Sequence, residues 1–165
     1  AQQYLAALRS VGTVPAARQH TDSHAFVAAL ADTANALCRP AKLHFVLQEQ
    51  WQGQFLCAAP ELSRALENML DNAVRYTPAG GTVTLTISKA EDTLVFTVTD
   101  TGPGFTPEAL HKAGQFLYTD AARPGNGHQG LGLYLARSVA QAHVGKLVLA
   151  NTRTGAQVQL CLPMQ

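Results

Sequence analysis

The sequence has little charge, and this scarcity excludes several kinds of protein. Asp, Glu, Lys and Arg make up 14% of the 165 residues, and the formal net charge is +1. No basic run and no mixing of basic with aromatic residues is present, so no nucleic-acid partner is predicted. Apolar residues make up 47% of the chain, which is typical of a folded domain with a sizeable core and argues against disorder.

Cysteines and long apolar runs are also scarce. The three cysteines are widely spaced (Cys38, Cys57 and Cys161), and no CxxC or Cys/His cluster suggests a zinc site or a disulfide framework. We expect them to be small buried hydrophobic residues in a reducing compartment. No apolar run approaches the ~20 residues of a membrane span, and no signal peptide is recognisable. The fragment is therefore expected to be soluble and cytoplasmic, without direct membrane contact.

Periodic apolar residues predict the helices. Three stretches have helical spacing, at about 24–37, 60–76 and 130–143. Asp22 and Ser23 are good cap residues for the first of them, and Gly145 should stop the third. Pro107 opens a short fourth helix.

Alternating apolar residues predict the strands. They lie at about 43–47, 55–57, 83–87, 94–98, 147–149 and 158–162. The first two are expected to pair through a turn near Gly53, and the last two to form a hairpin. Strands grouped in hairpins with helices between the groups predict an α+β fold. We expect a two-layer sandwich in which a mixed β-sheet carries helices on one face.

The helix at 60–76 carries a chemically mixed stripe beside its apolar one. Asn68, Asn72, Arg75 and Tyr76 follow each other at helical spacing. Amide oxygens are ligands that Mg²⁺ accepts, and an arginine one turn away could meet phosphate while tyrosine lies near a base. The alternative is a solvated polar face that happens to contain two asparagines.

Two glycine-rich segments follow this helix. Asp100-Thr101-Gly102-Pro103-Gly104 comes directly after a strand, where a carboxylate can accept a hydrogen bond from an exocyclic amine and glycine permits close approach of a ring. The alternative is an ordinary strand-to-helix turn. Residues 127–133 open a helix with Gly130 and Gly132, and free amides at a helix start favour phosphate. Glycine for tight helix–sheet packing is the alternative there.

A Gly/Pro/polar loop at 112–129 separates the two glycine segments. A loop of this length inside a compact domain is unusual and often functional. Arg123 and His128 could contact phosphate, and the loop suits a flexible lid that closes on a nucleotide.

Taken together, in this order and spacing, the segments resemble the ATPase-like domain of histidine kinases. The wider GHKL (HATPase_c) superfamily also includes gyrase, the heat-shock chaperone ATPase and the mismatch-repair ATPase. Residues 68–78 are similar to its N box, 100–104 to its G1 box and 127–133 to its G2 box, within a resemblance that covers about 20–163. The resemblance implies a Bergerat-type ATP-binding fold and an ATP lid.

The resemblance also implies roles for individual residues. Asn68 and Asn72 would hold Mg²⁺, Arg75 would touch phosphate, and Tyr76 would flank the base. Asp100 would bind the adenine amine, with Gly102 and Gly104 beside the ring. Phosphates would be cradled by the backbone of three residues, with a fourth helping from the lid: Gly130, Leu131 and Gly132, with Gln129.

The implied function is a histidine kinase that uses Mg-ATP. ATP-hydrolysing members carry a glutamate at the place of Asn68, and an amide cannot act as a general base. We therefore expect phosphoryl transfer to a protein histidine, in which Asn68, Asn72 and Arg75 take part, and little hydrolysis. A kinase of the family that phosphorylates serine is the weaker alternative, because such members keep the glutamate.

The acceptor histidine is missing, since none of the six histidines has the family's acidic-residue and proline context. Residues 1–18 are expected to end an upstream dimerisation helix and its linker, and 19–165 to form the ATP-binding domain. The implied partners are that upstream phosphoacceptor domain and, through it, a cognate response regulator. The parent protein would be an inner-membrane sensor, with this domain at its cytoplasmic end.

Two places depart from the family pattern. The F box is weak, because Ala113 and Gln115 replace an aromatic residue and an arginine, although Phe116 matches. Gln157 stands where a threonine near the adenine is usual. The weak F box motivates another alternative, a degenerate module that docks on a partner without nucleotide.

Overall fold

A computed structural model describes residues 17–112 and 129–164 of the chain. Within them the strands are β1 (Gln19–Asp22), β2 (His44–Glu49), β3 (Gln54–Cys57), β4 (Thr82–Ala90), β5 (Thr93–Asp100), β6 (Lys146–Asn151) and β7 (Ala156–Pro163). The helices are α1 (Ser23–Cys38), α2 (Ala59–Tyr76), α3 (Pro107–Lys112) and α4 (Gln129–Ala142).

Five of the strands form one mixed sheet in the order β2-β4-β5-β7-β6. β2 and β4 are parallel, and the other neighbours are antiparallel. One face of this sheet is buried beneath α1, α2 and α4, and none of the described helices packs on the opposite face, which we call the open face. The two-layer α+β sandwich predicted from the sequence is confirmed.

Alternation along the central strands decides which side chains enter the core. On β5, and on β4 up to Ser88, every second residue is buried and the residues between them are only partly buried. The ring centroid of Phe96 on β5 lies 5.9 Å from that of Phe26 on α1 and 6.0 Å from that of Phe55 on β3, and the Phe26 and Phe55 centroids are 5.7 Å apart. These edge-on and tilted contacts fasten α1 and β3 to the centre of the sheet.

The expected pairing of the strands at about 43–47 and 55–57, which are β2 and β3 in the structure, is wrong. β3 pairs antiparallel with β1, whereas β2 pairs with β4. Ser23 at the start of α1 fixes the segment between β2 and β3 through Gly53. Its N–H donates to the Gly53 carbonyl at 2.9 Å, and its hydroxyl accepts from the Gly53 N–H at 2.9 Å. β3 is thereby held beside β1 and does not pair with β2. β1 was not predicted because its residues are polar and show no apolar alternation.

The helix starts follow the sequence closely. The Asp22 carboxylate accepts a hydrogen bond from the Ala25 N–H at 2.9 Å, which confirms the predicted cap of α1. α2 buries the predicted apolar stripe, which consists of Leu62, Ala65, Leu66, Met69, Leu70 and Ala73.

The cysteines behave as the sequence predicts. All three are buried and free, and burial raises the pKa of each thiol. They therefore act as small apolar residues. Within residues 17–112 and 129–164, no helix combines the length and the apolar character needed to cross a membrane.

The end of α4 differs in detail from the expectation for Gly145. The residue with left-handed backbone is Val144, at φ 61°. Gly145 serves a different purpose, because a Cβ there would lie 1.9 Å from the Cys161 carbonyl oxygen on β7. Glycine at 145 permits helix and sheet to approach, and the helix ends through a residue poorly suited to its conformation.

We expect Val144→Gly to raise the free energy of unfolding by about 1 kcal/mol, which would raise Tm by roughly 2–4 °C in a domain of this size. Val144 is 73% exposed, so little apolar contact is lost, while the strain of a β-branched residue at positive φ is removed. Thermal and urea denaturation measure the change. Val46→Gly, at an exposed strand position, is the control and should destabilise. A Val144→Gly variant less stable than wild type would contradict this account.

Candidate functional site

Asp100 lies at the end of β5 on the covered face of the sheet and is 4% exposed. Its Oδ1 accepts hydrogen bonds from the Gly102 N–H at 2.9 Å and the Ala156 N–H at 3.3 Å. Two backbone donors, one in the turn after β5 and one at the start of β7, therefore fix the carboxylate. A fixed, buried carboxylate is suited to recognising a specific donor group.

The glycines that surround Asp100 leave no room for side chains. A Cβ on Gly102 would lie 2.6 Å from the Tyr76 carbonyl oxygen, and one on Gly155 would lie 2.1 Å from the Asp100 carbonyl oxygen. Gly104 adopts a φ of 80°, which disfavours any other residue. The segment 100–104 is therefore a tight turn built against the end of α2.

Sequence reasoning missed Asn151 and Gly155. Asn151 Oδ1 accepts from the Phe105 N–H at 2.7 Å, and its Nδ2 donates to the Phe105 carbonyl at 2.9 Å. The Asn151 amide thus pairs with both the N–H and the carbonyl of Phe105, as a backbone amide of a neighbouring strand would. Asn151 and Gly155 flank or belong to the turn between β6 and β7, and the fold places this turn beside Asp100. That position was the only feature of the sequence that could have indicated their role.

The two asparagines of α2 differ in burial. Asn72 is 4% exposed, and its Oδ1 has no hydrogen-bond partner among the residues that the structure describes. Asn68 lies one turn earlier and is partly buried. A buried amide oxygen without a partner carries its full desolvation penalty, of about 1–3 kcal/mol. Such an atom has the character of a binding group that a ligand would satisfy.

Tyr76 and Arg75 lie in different surroundings at the end of α2. Tyr76 is buried, and its carbonyl abuts Gly102. Arg75 is on the surface, where its Nε donates to Asp71 Oδ2 at 3.1 Å with both side chains 39% exposed. The structure thus places Tyr76 against the Asp100 turn, with Asn72 one helical turn earlier on α2. The predicted contact of Arg75 with phosphate stays a prediction.

The phosphate-binding candidates at 129–132 form the first turn of α4. α4 packs beside α2 in the opposite direction, because the residue that follows α4 hydrogen-bonds to Ala58 just before α2. The first turn of α4 therefore lies toward the Asn72 and Tyr76 end of α2, as a site shared by the two helices requires. Arg123, His128 and the F box (113–116) lie outside the described residues.

The expectation that Gln157 stands at a position near the adenine is wrong. Gln157 pairs with Thr99 on β5 and belongs to the open face of the sheet, whereas the Asp100 carboxylate belongs to the covered face. Ala156 is the β7 residue that contacts Asp100. A polar side chain at position 157 therefore points away from the site.

Comparison with known proteins gives a consistent result. The sequence model of the family described as histidine kinase-, DNA gyrase B-, and HSP90-like ATPase matches residues 57–165, more than half of the chain. The chain is similar to sensor histidine kinase SpaK of Bacillus subtilis, with 42% identity over 106 residues that make up 63% of this chain and 23% of SpaK. Sensor protein SphS of Synechococcus elongatus is 29% identical over 164 residues, 92% of this chain and 40% of SphS. The chain spans less than half of either relative.

Solved structures agree on the fold. Full-length ShkA in complex with AMPPNP superposes with a TM-score of 0.85 at 21% identity, covering 99% of this chain and 35% of that one. The mycobacterial sensor histidine kinase MprB superposes with a TM-score of 0.77 at 23% identity, covering 89% of this chain and 99% of that one. The chain therefore belongs to the family of histidine kinase-, DNA gyrase B- and HSP90-like ATPases, and it is an ATP-binding catalytic domain of the histidine kinase type.

Proposed function

We propose that this domain binds Mg-ATP and transfers the γ-phosphoryl group to a histidine on the dimerisation domain of a two-component sensor kinase. The observation that carries the proposal is the pairing of a fixed, buried Asp100 carboxylate with an unpartnered Asn72 oxygen on the helix beside it. The carboxylate suits the adenine amine, and the amide oxygen suits a hard cation on the phosphates.

The residues present fit a magnesium ion. Asn72 offers a buried oxygen that nothing in the described structure satisfies, and Asn68 adds a second amide one turn away. Neutral amides suit Mg²⁺ when polyphosphate supplies the negative charge. The bound ion would neutralise charge on the phosphoryl group during transfer. The first turn of α4 offers amides for the phosphates in the same place.

The arrangement disfavours hydrolysis of ATP by water. Asn68 cannot take a proton from water at neutral pH. Glu61 lies on the same side of α2, but two turns of helix put it about 10 Å from Asn68. Glu67 adjoins Asn68 in sequence but is turned about 100° around the helix, and Asp71 is paired with Arg75. The phosphoryl group is therefore kept for a protein acceptor.

The remaining assignments extend the same proposal to the parent protein. Residues 1–18 would connect to a dimerisation domain that supplies the acceptor histidine, and residues 19–165 would form the catalytic domain. A response regulator would take the phosphoryl group from that histidine. The relatives SpaK and SphS, which are named as sensor proteins, support this arrangement.

We expect calorimetric titration with a non-hydrolysable ATP analogue to give a Kd between about 1 μM and 0.5 mM, and binding should be tighter with Mg²⁺ than without it. Phosphorylation of a separately supplied dimerisation domain, followed with labelled ATP, is the second step. An analogue that does not bind at about 5 mM would overturn the proposal and favour a docking module that uses no nucleotide.

A further inference from the structure

The N-terminal segment (residues 18–23) is hydrogen-bonded to the C-terminal end of α4. The Arg18 Nη2 donates to the carbonyl oxygen of Ala142, the last residue of α4, at 2.8 Å across 124 residues of sequence. The final carbonyls of a helix lack intrahelical partners and carry partial negative charge. Arg18 therefore satisfies an acceptor that the helix itself leaves open.

The backbone after Arg18 is also fixed. β1 pairs with β3 over four residue pairs, from Gln19 with Cys57 to Asp22 with Gln54. β3 leads directly through Ala58 into α2. The N-terminal segment is thus attached both to the end of α4 and to the strand that precedes α2.

His143 joins the same two helices directly. Its ring is 5% exposed, and its Nε2 accepts from the Ala58 N–H at 3.0 Å. Its Nδ1 lies 2.8 Å from the Val139 carbonyl oxygen, to which it must donate because a carbonyl can only accept. The ring is therefore neutral with the proton on Nδ1, and it links the end of α4 to the start of α2.

These bonds lie opposite the candidate site. Along α4, Gly130 is about 18 Å of helix rise from Ala142, and along α2, Asn72 is about 20 Å from Ala59. The adenine side of the site depends instead on Asp100 and the turns of β5 and β7. At its C-terminal end α2 is packed on the base-recognition turn, because the Tyr76 carbonyl abuts Gly102. A change at the hydrogen-bonded end would therefore shift α4 against α2, while Tyr76 and the turn stay together.

We propose that Arg18 and His143 are positioning residues that set the spacing of α2 and α4, and through it the affinity for the triphosphate but not for the base. The inference rests on the proposed function. It also makes the N-terminal segment a regulatory element. Any change that moves residues 18–23 away from α4 would lower the affinity of the site for the phosphates and the metal ion.

The test compares two ligands on the full 165-residue chain. Arg18→Met should weaken binding of the ATP analogue with Mg²⁺ by about 5- to 10-fold, while adenosine, followed by NMR, changes by less than about 2-fold. Arg18→Lys, which can still donate to Ala142, should restore most of the loss. Arg137→Met, an exposed arginine on the same helix, is the matched control and should bind both ligands as wild type does.

A second pair of variants keeps the inference testable if Arg18→Met folds poorly. His143→Leu removes the acceptor for Ala58, whereas His143→Gln places an amide oxygen near the position of Nε2. We expect the leucine variant alone to lose triphosphate affinity. Equal losses for adenosine and analogue, or no loss for the analogue, would overturn the inference alone. A wild-type chain that binds neither ligand would overturn the proposed function and this inference with it.

Discussion

Asp100→Asn is expected to weaken binding of the ATP analogue by about 100-fold, which corresponds to about 2.7 kcal/mol, while leaving the fold intact. The amide oxygen of asparagine can still accept from the Gly102 and Ala156 amides, so the turn keeps its bonds. The amide nitrogen replaces a carboxylate oxygen with a donor. It would face the adenine amine, which is also a donor, and burial of position 100, which is 4% exposed, makes that mismatch costly.

Calorimetry measures the loss, and circular dichroism with thermal unfolding shows whether the fold is retained. Asp32→Asn, an exposed substitution on α1, is the control for the change of charge. Because the proposed effect is on the base, Asp100→Asn should weaken adenosine and the ATP analogue by similar factors. An Asp100→Asn variant that binds the analogue within about 3-fold of wild type would remove Asp100 from the site.

The sequence predicts most helices and the sheet because their information is local. The apolar stripe of α2, the Asp22 cap of α1 and the alternation along β4 and β5 each appear within a single stretch of chain. The partners of β2 and β3 are not local. They depend on β1, whose polar residues give no strand signal, and on the Ser23–Gly53 bonds.

The candidate site divides in the same way. Asn72 and the Asp100 turn could be predicted, because their residue types and spacing carry chemistry along the chain. Asn151 could not, because its importance arises only when the end of β6 comes beside Phe105. Helical spacing placed Arg75 with Asn72, and in the structure its Nε is paired with Asp71 on the surface of the same helix. Its contact with phosphate stays a prediction.

Asn72→Leu is expected to separate stability from function. Leucine has a similar shape to asparagine, so the substitution removes the buried, unpartnered oxygen without leaving a large cavity. We expect the free energy of unfolding to stay constant or to rise by about 1 kcal/mol. The benefit of Mg²⁺ for analogue binding should disappear, and phosphoryl transfer to a supplied dimerisation domain should fall by at least about 100-fold.

Urea denaturation, titration of the analogue with and without Mg²⁺, and the transfer assay measure the three effects. Asn35→Leu, on the exposed side of α1, is the control, and its stability should change by less than about 0.5 kcal/mol with no effect on Mg²⁺ dependence. Unchanged or raised stability together with lost Mg²⁺ dependence would identify the Asn72 Oδ1 as a ligand-binding group. Stability without activity means that Asn72 is kept at a cost to the fold, for a ligand that the fold does not itself supply. Loss of more than about 2 kcal/mol of stability with Mg²⁺ dependence retained would instead make Asn72 a structural residue.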